Sequence, residues 1–272
     1  MPFTFLSHQA PVLPLKIAAP RWFDGTALVI GSMVPDLVFF THGTSWYVDG
    51  HTVAAQLWFC LPITLVLTFV FKRAVAGPLA AHLPAGGSFR LHEYGRLASW
   101  RSPTGATGWL ILVASALLGA FTHLVLDSFT HGFGWVVQRV DALHAEAFVL
   151  PSSLSGRVVY VHDMLQLGGT VVGTVITVWC LHIIGKRRLL ECWYPTASLL
   201  QPTAHSRHLL VGWTAVGSVL GMLLALMTVR IGGIQDLIIR IAECTLAGVL
   251  VGCLIARRSM VATSDPDQAI AD

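Results

Sequence analysis

In the stretch LLGAFTHLVLDSFTHG, His123, Asp127 and His131 recur at intervals of four residues. On a helix each step of four advances only about 40° and rises about 6 Å, so the three side chains share one stripe. Imidazole nitrogen and carboxylate oxygen are donors that zinc, manganese or iron accept, and an HxxxD pair supplies two with matched reach. The pattern is short and arises often by chance, so it needs partners from elsewhere in the chain. Three are in reach by position: His8 near the amino terminus, Asp36 in IGSMVPD, and His51 at the head of an apolar run. Asp36 follows Pro35, and capping a broken turn competes evenly there with ligation. Asp127 and His123 lie in the last turns of an apolar stretch, where ionisable groups are costly unless paired or functional. His42, His144 and Asp163 read instead as helix-end residues that meet water and headgroups.

A divalent metal on such a cluster, zinc being the expected ion, would polarise an ester or phosphoester while a spare carboxylate or histidine acts as general base. That chemistry is metal-assisted hydrolysis. The expected core of the site is His51, His123 and Asp127, with Asp36 as either ligand or catalytic base.

The elements that must position these groups are transmembrane helices. Of 272 residues, 54% are hydrophobic and only 11% charged, with mean hydropathy +0.69, whereas soluble domains carry about a quarter charged residues. Five windows near 52–71, 108–128, 165–185, 208–231 and 234–256 are each long enough, at about 20 residues, to cross a hydrocarbon core of about 30 Å. A sixth apolar stretch, 27–40, is short and broken by Pro35, which suits a half-helix or re-entrant segment. The expected fold is thus all-α: one polytopic membrane helix bundle over 1–256, with a polar tail at 257–272. Gly217 with Gly221, and Gly248 with Gly252, suit close packing of the last two helices on each other, in preference to a homo-oligomer face. Glu243 and Arg240 read as an interhelical ion pair or hydrogen bond, and 83–107 as an irregular loop.

The segment 72–107 holds five Lys and Arg residues and 186–207 holds four, against two in 129–164. The positive-inside rule then puts the amino terminus and the His/Asp cluster outside and the carboxyl terminus in the cytoplasm. The opening MPFTFLSHQAPVLPLK has three prolines and no basic region before an apolar stretch, so it reads as part of the mature chain. A net charge of +3, scattered among loops, excludes a nucleic-acid footprint. Five cysteines without a CxxC pair imply neither a disulfide framework nor a zinc knuckle. No GxGxxG or GxxxxGK[ST] motif supports nucleotide binding.

Four ordered motifs, MPFTFLSHQAPVLPL, ALVIGSMVPDLVFF, HTVAAQLWFCLP and LLGAFTHLVLDSFTHGFGWVVQ, resemble the DUF4184 family of bacterial membrane proteins. The HxxxD helix with its preceding PD and His elements is also similar to inner-membrane, metal-dependent hydrolases of the YdjM type. That resemblance implies the positions His8, Asp36, His51, His123, Asp127 and His131, a bacterial inner-membrane location, and a lipid or cell-envelope substrate. One departure stands out: similar proteins carry a histidine directly after the glutamine of VVYVHDMLQLGG, where this chain has Leu167. The competing expectation is a non-catalytic membrane scaffold or, less well supported, a small-solute permease, which would favour ionisable groups near the bilayer midplane.

Overall fold

A computed structural model describes residues 5–41, 47–151 and 156–263, without the side chains of 39–41, 228–236 and 262–263. Val53–Ala81, Ala106–Thr130, Val161–Lys186, Ala204–Met227 and Leu237–Ser259 are helices long and apolar enough to cross a membrane. We call them the first to fifth spans. Their outward faces carry large apolar side chains such as Leu110, Val175 and Trp179, all more than 60% exposed. Such a surface is stable against lipid and not against water. The chain is therefore a polytopic helical membrane protein, as its composition requires.

The first span is locally widened into π turns at Gln56–Cys60 and Phe71–Val75. Each lies shortly before a proline, Pro62 or Pro78. A proline inside a helix donates no hydrogen bond and its ring crowds the carbonyl four residues back, and a π turn relieves both problems.

The amino-terminal segment folds as a broken helical hairpin against the spans. It runs through Leu13–Ala18, reverses, and returns through Gly25–Gly31 and the 3₁₀ turn Val34–Thr41. The 27–40 stretch is thus two short pieces, divided just before Pro35. His8 and Asp36, at the two ends of the hairpin, both lie beside Asp127 and its neighbours on the second span, so the segment enters and leaves at one end of the bundle. Its reversal is held from several sides. Asp24 caps the returning helix through Ala27 N (3.0 Å) and takes an ion pair from the fully buried Lys72 of the first span. The Asp24 amide donates to Ser115 Oγ (2.9 Å), and Lys16 Nζ donates to the carbonyls of Pro20 (2.8 Å) and Phe23 (2.9 Å).

Small residues let this hairpin touch the second span backbone to backbone. Gly119 faces the Leu28 carbonyl and the Ser32 amide, and Gly31 faces the Ala116 carbonyl, with no room for a Cβ at either glycine. Such approaches are how helices associate where no hydrophobic effect drives them together.

Helical backbone extends across Ala204–Ala256, yet Gly217 packs on Cys244 and Gly248 on Trp213. A straight helix would put residues 27 positions apart about 40 Å away from each other. The chain must therefore reverse between the fourth and fifth spans, which pack antiparallel through the two expected glycine pairs. Ser218 and Thr245 add a hydrogen bond across them (3.0 Å).

Three local expectations change. Arg240 and Glu243 pair at 2.8 Å along one helix, not between two, because i, i+3 positions are neighbours on a helical surface. Within 83–107, Leu91–Ser99 forms a 3₁₀ helix around the Glu93–Arg96 pair, a short-range contact that apolar periodicity does not register. Val261–Thr263, at the start of the polar tail, pairs as a strand with Leu199–Gln201; 264–272 and His42 lie outside the described residues. The basic loops meet at the end opposite the His/Asp residues, where Arg96 donates to the Tyr194 carbonyl and Arg257 to that of Arg73.

The glycine contact yields a prediction. Gly119→Ala drives a methyl group into the Leu28 carbonyl and should destabilise the detergent-solubilised protein by about 1–3 kcal/mol, the usual penalty of overpacking. Gly168→Ala, whose Cβ would meet nothing within 4 Å, should leave the melting temperature unchanged or raised. Equal thermal melting of the two variants would contradict the close approach.

Candidate metal centre

The close approach at Gly119 sets the first ligand. Gly119, His123 and Asp127 lie at i, i+4 and i+8 on the second span, so the stripe that admits the hairpin backbone also points both polar side chains at it. The fully buried His123 donates from Nδ1 to the Ser32 carbonyl (2.8 Å). A carbonyl only accepts, so Nδ1 carries a proton and Nε2 is the nitrogen turned toward the interior carboxylates. An outer hydrogen bond that fixes the tautomer of a ligating histidine is a recurrent feature of metal sites.

A second close approach brings His51. A Cβ on Gly50 would lie 2.6 Å from the Pro35 carbonyl, so glycine there allows the chain before the first span to rest on the turn that carries Asp36. Gln56 then staples the segment, its buried amide donating to the carbonyls of Gly50 (2.8 Å) and Thr52 (3.2 Å). The His51 amide donates to Asp49 Oδ1 (3.0 Å), and the ring edge meets Phe133 at 5.7 Å between centroids.

Four donor atoms converge as a result. His51 Nε2 lies 3.4 Å from Asp36 Oδ1 and 3.2 Å from Asp127 Oδ2. His123 Nε2 lies 3.5 Å from Asp36 Oδ1, 3.3 Å from Asp127 Oδ2 and 3.4 Å from His51 Nε2. Ligand atoms of these four residues all fall within 4.8 Å of one another, and the group could hold a metal ion. Tetrahedral coordination with bonds of about 2.1 Å places neighbouring donors about 3.4 Å apart, whereas an octahedron of the same bond length places them about 3.0 Å apart. Five of the six donor–donor separations, 3.2–3.5 Å, lie near the tetrahedral edge. Two carboxylates and two imidazoles are also a donor set that zinc accepts.

The remaining expected positions flank this group. His8 stacks on His123 with ring centroids 4.0 Å apart, and its Nε2 is 3.7 Å from Asp127 Oδ1. His131 Nδ1 is 3.5 Å from the same oxygen, and its Nε2 meets Gln166 Nε2 at 3.0 Å. Both histidines therefore face the Asp127 oxygen turned away from the four-donor group. Burial, reinforced by the neighbouring His123, lowers the pKa of His8 to about 4. Burial likewise holds His131 below the ordinary histidine value. The two flanking rings are neutral at pH 7.

His162, Asp163 and His144 do not join the cluster. His162 Nδ1 donates to the Leu143 carbonyl (3.0 Å) and its ring stacks on Tyr160, while Asp163 pairs with Arg157 (2.8 Å). Leu167 is 63% exposed. Successive residues on a helix diverge by about 100°, so a histidine at 167 would point away from the centre, and its replacement by leucine removes no donor. Sequence reasoning missed Asp49 and Gln56. Gln56 did leave a signal, as a lone amide in the apolar run VAAQLWF; Asp49, two residues before His51, left little.

Proton occupancy ties the site to pH. Burial disfavours the imidazolium of His51, but hydrogen bonds to Asp127 and Asp36 outweigh it and raise the pKa to about 9. Asp36 shifts the other way: burial pushes its pKa up, yet hydrogen bonds from His123 and His51 pull it below the usual carboxylate range. Near neutrality His51 is protonated, and a cation entering between the carboxylates must displace that proton. Affinity should therefore weaken by roughly tenfold per pH unit below about 9 for each proton released. Zinc titration calorimetry at pH 7.5, in buffers of different ionisation enthalpy, should register at least about one proton released per metal bound. Binding at pH 7.5 without proton release would contradict this assignment.

A family model described as a domain of unknown function, DUF4184, matches residues 1–258. No curated protein and no solved structure matches the chain.

Proposed function

The chain belongs to the DUF4184 family, and we propose that it is a metal-dependent hydrolase of the bacterial inner membrane, acting at its outer face on a lipid or cell-envelope substrate. The observation that carries this reading is the convergence of four His and Asp donors, all within 4.8 Å of one another and with each imidazole 3.2–3.5 Å from the other donors. His51, His123 and Asp127 hold the metal, and Asp36 serves as fourth ligand or as general base. A divalent cation held there, zinc by donor type, would supply Lewis acidity to a scissile ester or phosphoester.

The protein's own groups do the rest. The Ser32 carbonyl and the Gly50–Gln56 staple fix both imidazoles, so ligation requires little rearrangement. Asp36, an ionised carboxylate at neutral pH, can take a proton from an incoming nucleophile. His8 and His131, neutral at pH 7, add no positive charge that would compete with the cation, and each offers a ring nitrogen toward Asp127. Placement outside is supported by the meeting of the basic loops at the opposite end of the bundle, which the positive-inside rule assigns to the cytoplasm.

Metal analysis tests the first half of this reading. Protein purified in detergent without chelators should carry about one zinc per chain, and the His123→Ala, Asp127→Ala double variant less than about a tenth of that, since removing even outer-shell partners weakens metal sites 10- to 100-fold. Wild-type protein without stoichiometric metal would sink the metal reading. Loaded protein that turns over no member of a panel of ester and phosphoester lipids would sink the catalytic one.

Orientation is read separately. In a Cys192→Ser background, Ala142→Cys at the site end should react with a membrane-impermeant maleimide added to intact cells, and Ser88→Cys only after lysis. The reverse pattern would invert the topology.

A further inference from the structure

The centre opens on two sides, and the openings differ in chemistry. One cavity, of about 530 Å³, is lined by His51, Phe133, Trp135 and Gln138. The other, of about 350 Å³, lies between the second and third spans. Both share Asp127, and both volumes fall in the range of ligand sites. The second cavity is walled by Leu126, Val172 and Ile176, with His8, His131 and Asp127 at its polar end.

Two independent features mark this second cleft as a binding site. Asp127 is 97% buried, and its Oδ1, the oxygen on the side of His8 and His131, has no hydrogen-bond partner. A buried carboxylate oxygen left without a donor is costly, and a donor brought by a ligand in the cleft would satisfy it. The third span also presents glycine where it borders the cleft: a Cβ on Gly169 would meet nothing within 4 Å. The cleft walls continue onto outward faces of two membrane spans, where Val172 is 59% exposed. In a bilayer those faces are covered by acyl chains.

We propose that this cleft admits one acyl chain of a membrane lipid sideways from the bilayer, seating a headgroup hydroxyl or amine, which can donate to Oδ1, at Asp127. The substrate of the centre is then an acylated lipid taken from the membrane, not a water-soluble envelope component. This rests on the hydrolase reading for turnover, but occupancy of the cleft does not.

The test uses purified full-length protein in phosphatidylglycerol vesicles doped with a phosphatidylglycerol that carries a diazirine on one acyl chain. After illumination, labelled positions are mapped by mass spectrometry. Wild type should be labelled at Leu126, Val172 and Ile176. Gly169→Leu, which fills the cleft, should lower labelling of Leu126 and Ile176 by about fivefold or more, as expected when a pocket of this size is occluded. Gly168→Leu, which does not border the cleft but also points into open space, should leave labelling unchanged. Metal content checks that the variants are folded, and Val172→Trp provides a second block should Gly169→Leu lose its metal. Equal labelling in blocked and wild-type protein, or labelling confined to outward residues such as Val175 and Trp179, would overturn the proposal. Cleft labelling without lipid turnover overturns the hydrolase reading alone, and turnover without cleft labelling overturns the cleft alone.

Discussion

Much of this structure depends on one hydrogen bond, from His123 Nδ1 to the Ser32 carbonyl across 91 residues of sequence. It forms only because Gly119, one turn earlier on the same stripe, lets the hairpin backbone come within van der Waals reach of the second span. That contact does two things. It satisfies a polar group that would otherwise be stranded inside an apolar bundle, and it commits the other ring nitrogen to face Asp36, His51 and Asp127. A histidine fixed in this way is both a structural pin and a directed donor.

The rest of the amino-terminal hairpin can be read as what keeps that contact in place. Its reversal is tied by Asp24, Lys72, Lys16 and Ser115, and its returning limb is closed by Gly50 resting on Pro35. Irregular backbone at membrane depth is tolerated where it is buried in protein, and here the short 3₁₀ turn carrying Asp36 is enclosed by the first and second spans. Two carboxylates held this near each other repel. The protonated His51 and the Nε2–H of His123 between them, or a divalent cation in their place, offset that charge, which couples site occupancy to protonation.

Asp127 gives the centre its polarity. One oxygen faces the four-donor group; the other faces His8, His131 and the apolar cleft beyond them. A carboxylate shared in this manner connects a charged site to a lipid-facing surface, while the Trp135 and Gln138 side offers a more polar approach. An amphiphile has the same division of character.

Sequence alone determined the features that depend on local periodicity and composition. The apolar windows located five spans to within several residues, except that the first runs on through Ala81, and the i, i+4 spacing put His123 and Asp127 on one face. The glycine pairs of the last two spans were legible for the same reason, since a small-residue stripe has meaning within one helix. Tertiary structure decided what lies across from those faces. His51 meets His123 over 72 residues of separation, and no periodicity encodes that distance; it follows from which backbones glycine allows to touch. The same contacts drew Asp36 and His51 to one oxygen of Asp127 and left His8 and His131 at the other. They also gave Gln56 and Asp49 their positioning roles, which residue type and spacing could not assign.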